Sequence, residues 1–276
     1  VRIQGHRRER MKFAVKALSG RARAGVLQVQ NPGCCVSMET PCLMLSTRKG
    51  LPHFLSPDLL SSLPSPDSHL FQVCPLHFAE GLSMQSMNNL GGLHKMLGLP
   101  EYGLGAVLRD SIICLPESSS TNKNGASFET PFGRLSIKPA EYMKMISYMK
   151  PNWAVSLPDE VPAWVTEKRN KSSVDRTILW LDDCIKSSKT DGVIFGAIVG
   201  GCNIEECRRC ACEVAKRDVS GYWIGGFGVG ESIDERPALL NCVTDTLPGD
   251  KPRQISGLEL PGMIIYHESL LGVELC

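Results

Sequence analysis

The feature that most constrains this fold is the repeated alternation, from Met11 onward, of short apolar runs with helical patterns. Each apolar run has the length of a buried strand. The runs are the segments 42–47, 70–74, 105–110, 153–159, 192–201, 221–227 and, as a seventh, 251–258. Strand and helix in alternation predict an α/β protein with a parallel sheet, either open or closed into a barrel.

Three segments between the predicted strands have helical periodicity. Segment 138–150 has Pro139 as its second residue, and proline is suited to a first helical turn. Segment 173–189 begins with Ser173 as a predicted cap and places apolar residues on one stripe. Segment 204–217 is the third predicted helix.

The overall charge excludes a chain that binds nucleic acid through its net field. The 276 residues carry a formal net charge of +1, so an RNA contact would need a local basic patch. Lys168, Arg169 and Lys171 form one such run, which fits either contacts with tRNA phosphates or a solvated loop. No apolar run approaches the roughly 20 residues that a transmembrane helix requires.

The twelve cysteines are scattered and match no small secreted framework, which favours reduced thiols in the cytosol. Cys202, Cys207, Cys210 and Cys212 are close in sequence, as in a zinc site. Cys210 and Cys212, however, would point about 200° apart on a helix. We therefore interpret them as helix cysteines and predict no metal ligand in this chain.

Polar groups follow three of the predicted strands, where α/β proteins place their functional residues. They are Asp110 with Ser111, Asp159 with Glu160, and the glycine-rich run 221–231 that ends at Glu231. Two carboxylates beside a glycine floor could bind a planar ligand rich in N–H donors. Alternatively, Asp110 and Asp159 cap the helices that follow.

Other catalytic patterns do not fit. The glycine run lacks the Gly-Lys-Ser/Thr ending of a P-loop and the spacing of a dinucleotide fingerprint. The six histidines have no serine or cysteine partner at a recognised spacing. His94 is expected to pack or to cap at a helix start.

Taken in order, eight segments of the chain resemble the queuine tRNA-ribosyltransferases, or tRNA-guanine transglycosylases, and above all their non-catalytic accessory subunits. The segments are ETPCLMLSTRKG, GGLHKMLG, VLRDS, GRLSIKPAEYMKMISYMKPNWAVSLPDE, SVDRTILWLDDC, AIVGG, GYWIGGFGVGE and LPGDKPRQISGLELP. The resemblance implies a (β/α)8 TIM-barrel-like fold with a zinc-binding insertion. It also implies exchange of guanine for queuine at the tRNA wobble position, through a covalent aspartyl intermediate.

The resemblance also implies a set of positions equivalent to the family's base pocket. They are Asp110, Ser111, Asp159, Val199, Gly200, Gly225 and Gly226. Asp110 and Ser111 match the start of the family's Asp-Ser-Gly-Gly-Phe-Gln segment, and Asp159 matches the aspartate that hydrogen-bonds the base. Gly225 and Gly226 match the glycine pair that floors the pocket.

Departures from the family pattern indicate a subunit without catalytic residues. Asp110 and Ser111 continue into IICLPES rather than Gly-Gly-Phe-Gln, and Val199 replaces the glutamine of catalytic subunits. The family's Phe-Asp-Cys-x-x-Pro-Thr-Arg stretch, which holds the nucleophile, and its Cys-x-Cys-x-x-Cys…His zinc motif are absent from this sequence. Without the nucleophile, the family's covalent route is closed.

The expected organisation has three parts. Residues 1–10 read as a non-native or untranslated leader, although their basic composition also fits a transit peptide. Residues 11–261 form the transglycosylase-like barrel, truncated before its last unit and the zinc module, and residues 262–276 form a divergent tail. The resemblance implies a heterodimer with a catalytic subunit, contact with tRNA and a cytoplasmic location, with peripheral association with the mitochondrial outer membrane as a family property. Two alternatives stay open: a truncated catalytic transglycosylase and a nonfunctional isoform.

Overall fold

The computed structural model describes residues 10–63, 69–79, 84–110, 121–130, 133–188 and 192–257. The predicted leader, except Arg10, and the predicted tail lie outside these ranges, as does Ser111. In chain order, the strands of the described residues are β1 (Met11–Ser19), β2 (Ala22–Asn31), β3 (Cys34–Thr40), β4 (Leu45–Arg48), β5 (Leu51–Pro52), β6 (Leu70–Val73), β7 (Gly103–Ala106), β8 (Ala126–Thr130), β9 (Gly133–Ile137), β10 (Trp153–Val155), β11 (Ile194–Ile198), β12 (Gly221–Ile224) and β13 (Arg253–Ile255).

The helices of the described residues lie mainly between the strands of the second half of the chain. They are α1 (Pro57–Leu60), α2 (Met84–Leu90), α3 (Leu93–Leu97), α4 (Pro139–Met149), α5 (Glu167–Ser187), α6 (Ile204–Ala215) and α7 (Arg236–Thr244), and a 3-10 turn spans Pro75–Phe78. No helix in these ranges has both the length and the apolar composition needed to cross a bilayer.

The central sheet is parallel, as the alternating pattern predicts. Its strands follow the order β4, β6, β7, β10, β11, β12, β13, and β5 pairs antiparallel with β4 at one edge. All seven predicted strands are confirmed, including the one at 251–258, which forms β13. The fold is therefore a mixed α/β fold built on a parallel sheet.

This sheet curls like half a barrel. Gln72 on β6 and Gln254 on β13 are five strand steps apart, which in a flat sheet would separate them by roughly 24 Å. Yet the side-chain Nε2 of Gln254 lies 3.4 Å from Oε1 of Gln72. Gln254 is fully buried and also accepts a 3.0 Å hydrogen bond from Nε1 of Trp153 on β10. Side chains from β6, β10 and β13 thus meet on the concave side of the sheet.

The antiparallel sheet β1-β2-β3 covers the end of the central sheet at which the parallel strands begin. Arg23 donates from Nη1 to the carbonyl oxygen of Gly249, shortly before β13, at 2.7 Å. Asn31 donates from Nδ2 to the carbonyl oxygen of Tyr102, just before β7, and accepts from Asn152, just before β10. Because this end is filled, the opposite end, where the strands finish, is left for a functional site.

The helix predictions are confirmed with one correction. Helices α4 and α6 occupy the predicted segments. Helix α5 begins earlier than predicted: Thr166 is its cap and accepts from the backbone N–H of Arg169. Ser173 lies inside the helix and donates to the carbonyl oxygen of Asn170, so it is not a cap. His94 is buried in α3 with Nε2 3.1 Å from the carbonyl oxygen of Tyr102, which confirms its packing role.

Candidate functional site

Glu160 ties together the ends of three parallel strands. Its carboxylate accepts two hydrogen bonds from Arg109, which follows β7, at 2.5 Å from Nε and 3.0 Å from Nη2. It also accepts from the backbone N–H of Gly226, which follows β12, at 3.1 Å. The side chains of Arg109 and Glu160 are only 4% and 3% exposed. The carboxylate is therefore neutralised within the chain.

Asp159 is held by two arginines of helix α5. Arg169 binds its two carboxylate oxygens in a bidentate arrangement at 2.8 and 2.7 Å, and Nη1 of Arg176 lies 2.9 Å from Oδ2. The two arginines are seven residues apart, which places them on the same face of a helix. Since Thr166 caps α5, the alternative in which Asp159 caps this helix is wrong. Its backbone N–H instead donates to Oγ1 of Thr177.

The space against these two carboxylates is nearly filled. The cavity lined by Arg109, Phe128, Asp159 and Glu160, among others, measures about 10 Å³. A site for a small organic ligand usually needs roughly 300–1,000 Å³, whereas about 10–15 Å³ holds one water molecule. As the described residues bound it, this cavity has no room for a purine base.

Asp110 pairs with a histidine from the neighbouring strand end. Its Oδ2 lies 2.8 Å from Nε2 of His77, which belongs to the 3-10 turn after β6, and both side chains are mostly buried. Ser111, the other predicted pocket residue of this segment, lies outside the described residues.

Val199 and Gly200, at the end of β11, pack against α6. The backbone N–H of Val199 lies 3.4 Å from Sγ of Cys210, and its side chain is buried in the apolar core. A Cβ on Gly200 would meet the backbone nitrogen of Cys207 at 2.5 Å, so only glycine fits this approach. The carbonyl oxygen of Gly200 accepts from Nδ2 of Asn170 on α5.

The glycine-rich run has two parts with different contacts. Gly225 extends the β11–β12 pairing, and Gly226, with φ +84°, directs its N–H to Glu160. Further along, the backbone N–H groups of Gly228 and Val229 both donate to the carboxylate of Glu231. That carboxylate also lies 2.6 Å from Nε of Arg236. The second part of the run thus encloses one of the chain's own acids.

The three residues of the predicted basic patch, Lys168, Arg169 and Lys171, do not all face solvent. Lys168 and Lys171 are exposed on the first turns of α5, where phosphate groups could reach them. Arg169 turns inward to Asp159, and its side chain is 16% exposed. The three residues therefore do not act as one surface.

The cysteines of the 202–212 segment do not share one environment: Cys202 precedes α6, Cys207 and Cys210 lie on the buried face of α6, and Cys212 lies on its exposed face. Cys210 is buried, and burial raises the pKa of its thiol to about 12, whereas Cys212 is exposed. Within the described ranges, no group of three or more His, Cys, Asp and Glu side chains is placed to hold a metal ion. The described residues of this segment do not fit a zinc site.

Sequence reasoning missed the arginines that neutralise the site. Arg109 directly precedes the predicted site residue Asp110, and Arg169 was expected to face solvent. A signal for the third arginine, Arg176, was present in the sequence. Arg169 and Arg176 recur at a seven-residue interval, one of the spacings that align side chains on a helix face. Such a pair beside a strand-end carboxylate indicates an internal ion pair.

Comparison with known proteins identifies relatives of this chain. A model of the queuine tRNA-ribosyltransferase family matches residues 18–276. The queuine tRNA-ribosyltransferase accessory subunit 2 of Xenopus tropicalis is 31% identical over 264 residues, which is 92% of this chain and 62% of that protein. The accessory subunit 2 of Gallus gallus is 31% identical over 260 residues, 90% of this chain and 57% of that protein.

A catalytic relative is also similar. The queuine tRNA-ribosyltransferase catalytic subunit of Caenorhabditis elegans is 26% identical over 272 residues, 96% of this chain and 65% of that protein. The chain spans between 57% and 65% of the length of these three relatives. With a family model matched over most of its length, the chain belongs to the queuine tRNA-ribosyltransferase family.

Proposed function

We propose that this chain acts as a non-catalytic subunit of a queuine tRNA-ribosyltransferase. In this role it pairs with a catalytic subunit and supports the exchange of guanine for queuine at the tRNA wobble position. The two relatives named as accessory subunits support this assignment over most of the chain. We also propose that the half-barrel sheet belongs to a (β/α)8 arrangement of the family type, and that the subunit works in the cytoplasm.

One observation carries the non-catalytic assignment. Asp159, the residue expected to hydrogen-bond a purine base, already accepts three hydrogen bonds from Arg169 and Arg176. A carboxylate that recognises a base must offer free acceptor oxygens to the N–H groups of the ligand. Here a ligand would have to compete with three charge-assisted hydrogen bonds from two arginines, and such bonds are about twice as strong as neutral ones.

The neighbouring groups favour the same proposal. Glu160 and Gly226, which border the same strand ends, are already bonded to each other, and the cavity beside them measures about 10 Å³. Contact with tRNA would then come from exposed groups such as Lys168 and Lys171. Phosphate contacts of this kind position a nucleic acid without reading its sequence.

Two measurements on the full chain test the proposal. Equilibrium dialysis with radiolabelled guanine should show no saturable binding, and a sizing column should show co-elution with the catalytic subunit. Saturable guanine binding would overturn the non-catalytic assignment in favour of a transglycosylase. Separate elution at concentrations where the catalytic subunit is active would overturn the subunit assignment and favour a nonfunctional isoform.

A further inference from the structure

A second cavity lies at the opposite end of the sheet from the candidate site. It measures about 560 Å³ and lies between α4 and the end of α5, where β10 and β11 begin. We call it the α4–α5 groove, defined by Met143, Lys144, Ser147, Lys150 and Ile194 among its lining residues. Its volume falls within the range of roughly 300–1,000 Å³ that is typical of small-molecule sites.

The groove extends along most of α4. Its α4 side runs from Ala140 to Lys150, a distance of about 15 Å at the rise of an α-helix. A groove of this length can accommodate an extended body.

The walls are apolar where they are deepest. Met143 and Ile194 are buried, and Ile146 and Val193 are partly buried and pack on the core. Ala154 of β10 belongs to the floor and is 3% exposed. The groove thus offers dispersion contacts and removal of apolar surface from water to a hydrocarbon body.

The rim is cationic. Lys144 and Lys150 are exposed and form no ion pair with a described residue, and Arg10 also lines the groove. None of the lining residues within the described ranges is acidic. The nearest acid along α4, Glu141, is directed to the start of the helix, where it accepts from the N–H of Lys138 at 3.0 Å. Two lysines without carboxylate partners favour an anionic head group.

We propose that the α4–α5 groove binds a free amphipathic anion with one slender apolar body, such as an acyl carboxylate. The apolar body would lie along Met143 and Ile146, and the carboxylate would lie between Lys144 and Lys150. This site is separate from the carboxylate cluster around Asp159.

A fluorescent acyl carboxylate tests the site directly. Titration of the full chain with 11-(dansylamino)undecanoate should give saturable fluorescence that laurate displaces, whereas uncharged dodecanol should compete about tenfold less well or worse. The double variant K144E/K150E should bind the probe at least about tenfold more weakly. S147W, which fills the groove from an exposed position, should do the same.

Lys186 provides the matched control. It is 75% exposed on the neighbouring helix α5 and does not line the groove, so K186E should bind within about twofold of the unmodified chain. Equal binding by K144E/K150E, by S147W and by the unmodified chain would overturn the proposal, as would the absence of saturable probe binding. Pelleting with phosphatidylcholine–phosphatidylglycerol vesicles, without binding of monomeric laurate, would assign the lysines to a membrane surface and would also overturn it.

Discussion

The buried pair Arg109–Glu160 offers the sharpest test of whether the candidate site is closed. Both side chains are less than 5% exposed, and the contacts are bidentate. Removal of one partner leaves the other charge buried without this counter-charge, which typically costs about 3–5 kcal/mol. We therefore expect R109M and E160Q each to lower the free energy of unfolding, because R109M leaves a buried carboxylate and E160Q a buried guanidinium without its counter-charge. Urea denaturation, monitored by tryptophan fluorescence, measures the decrease in the free energy of unfolding.

The double variant R109M/E160M separates the cost of leaving one charge buried and unpaired from the cost of losing the ion pair itself. Replacement of both charges by apolar side chains of similar volume is often nearly neutral, so the double variant should recover most of the stability that R109M loses. The exposed pair Arg208–Glu205, at 48% and 79% exposure, is the control. Its disruption should cost about 0–1 kcal/mol. If R109M costs no more than R208M, water reaches Glu160 and the closed-site reasoning is refuted.

Three further predictions concern other parts of the fold. Burial lowers the pKa of His94 below its ordinary 6.5, so the unfolded chain binds more protons and stability should fall as pH drops through 6.5. Chemical denaturation at several pH values should show that the free energy of unfolding depends less steeply on pH in H94Q than in the unmodified chain. A Cβ on Gly228, with φ +71°, would lie 2.9 Å from the carbonyl oxygen of Gly257, so G228A should lower the melting temperature more than G20A, where φ is +60° but the space is open. Q254L removes the acceptor of the Trp153 indole N–H and should cost about 1–3 kcal/mol in urea denaturation; a cost near zero would contradict the curled interior of the sheet.

The parallel sheet could be predicted because buried strands appear as continuous apolar runs, and each of the seven predicted runs forms a strand. The sheet β1-β2-β3 was harder to recognise. Strand β2 alternates buried and exposed residues and includes small and polar ones, so no apolar run marks it. Its role is clear only from long-range contacts such as that between Arg23 and Gly249.

The residues of the candidate site could be predicted from the sequence, but whether their side chains are free to bind a ligand could not. Strand ends and the resemblance to a known family both point to Asp159 and Gly226. Whether a carboxylate is free to bind a ligand depends on which side chains reach it in space. Arg169 and Arg176 reach Asp159 from a helix 10 and 17 residues further along the chain. That information lies in the packing of α5 against the segment that follows β10 and not in a local motif.

The most direct test of the central claim is a guanine-exchange assay on tRNA. Incorporation of radiolabelled guanine would be measured for the full chain alone, for the catalytic subunit alone and for the two together. We predict no incorporation by this chain alone and more incorporation by the mixture than by the catalytic subunit alone. Incorporation by this chain alone would contradict the non-catalytic assignment, and an unchanged rate in the mixture would contradict its role as a supporting subunit.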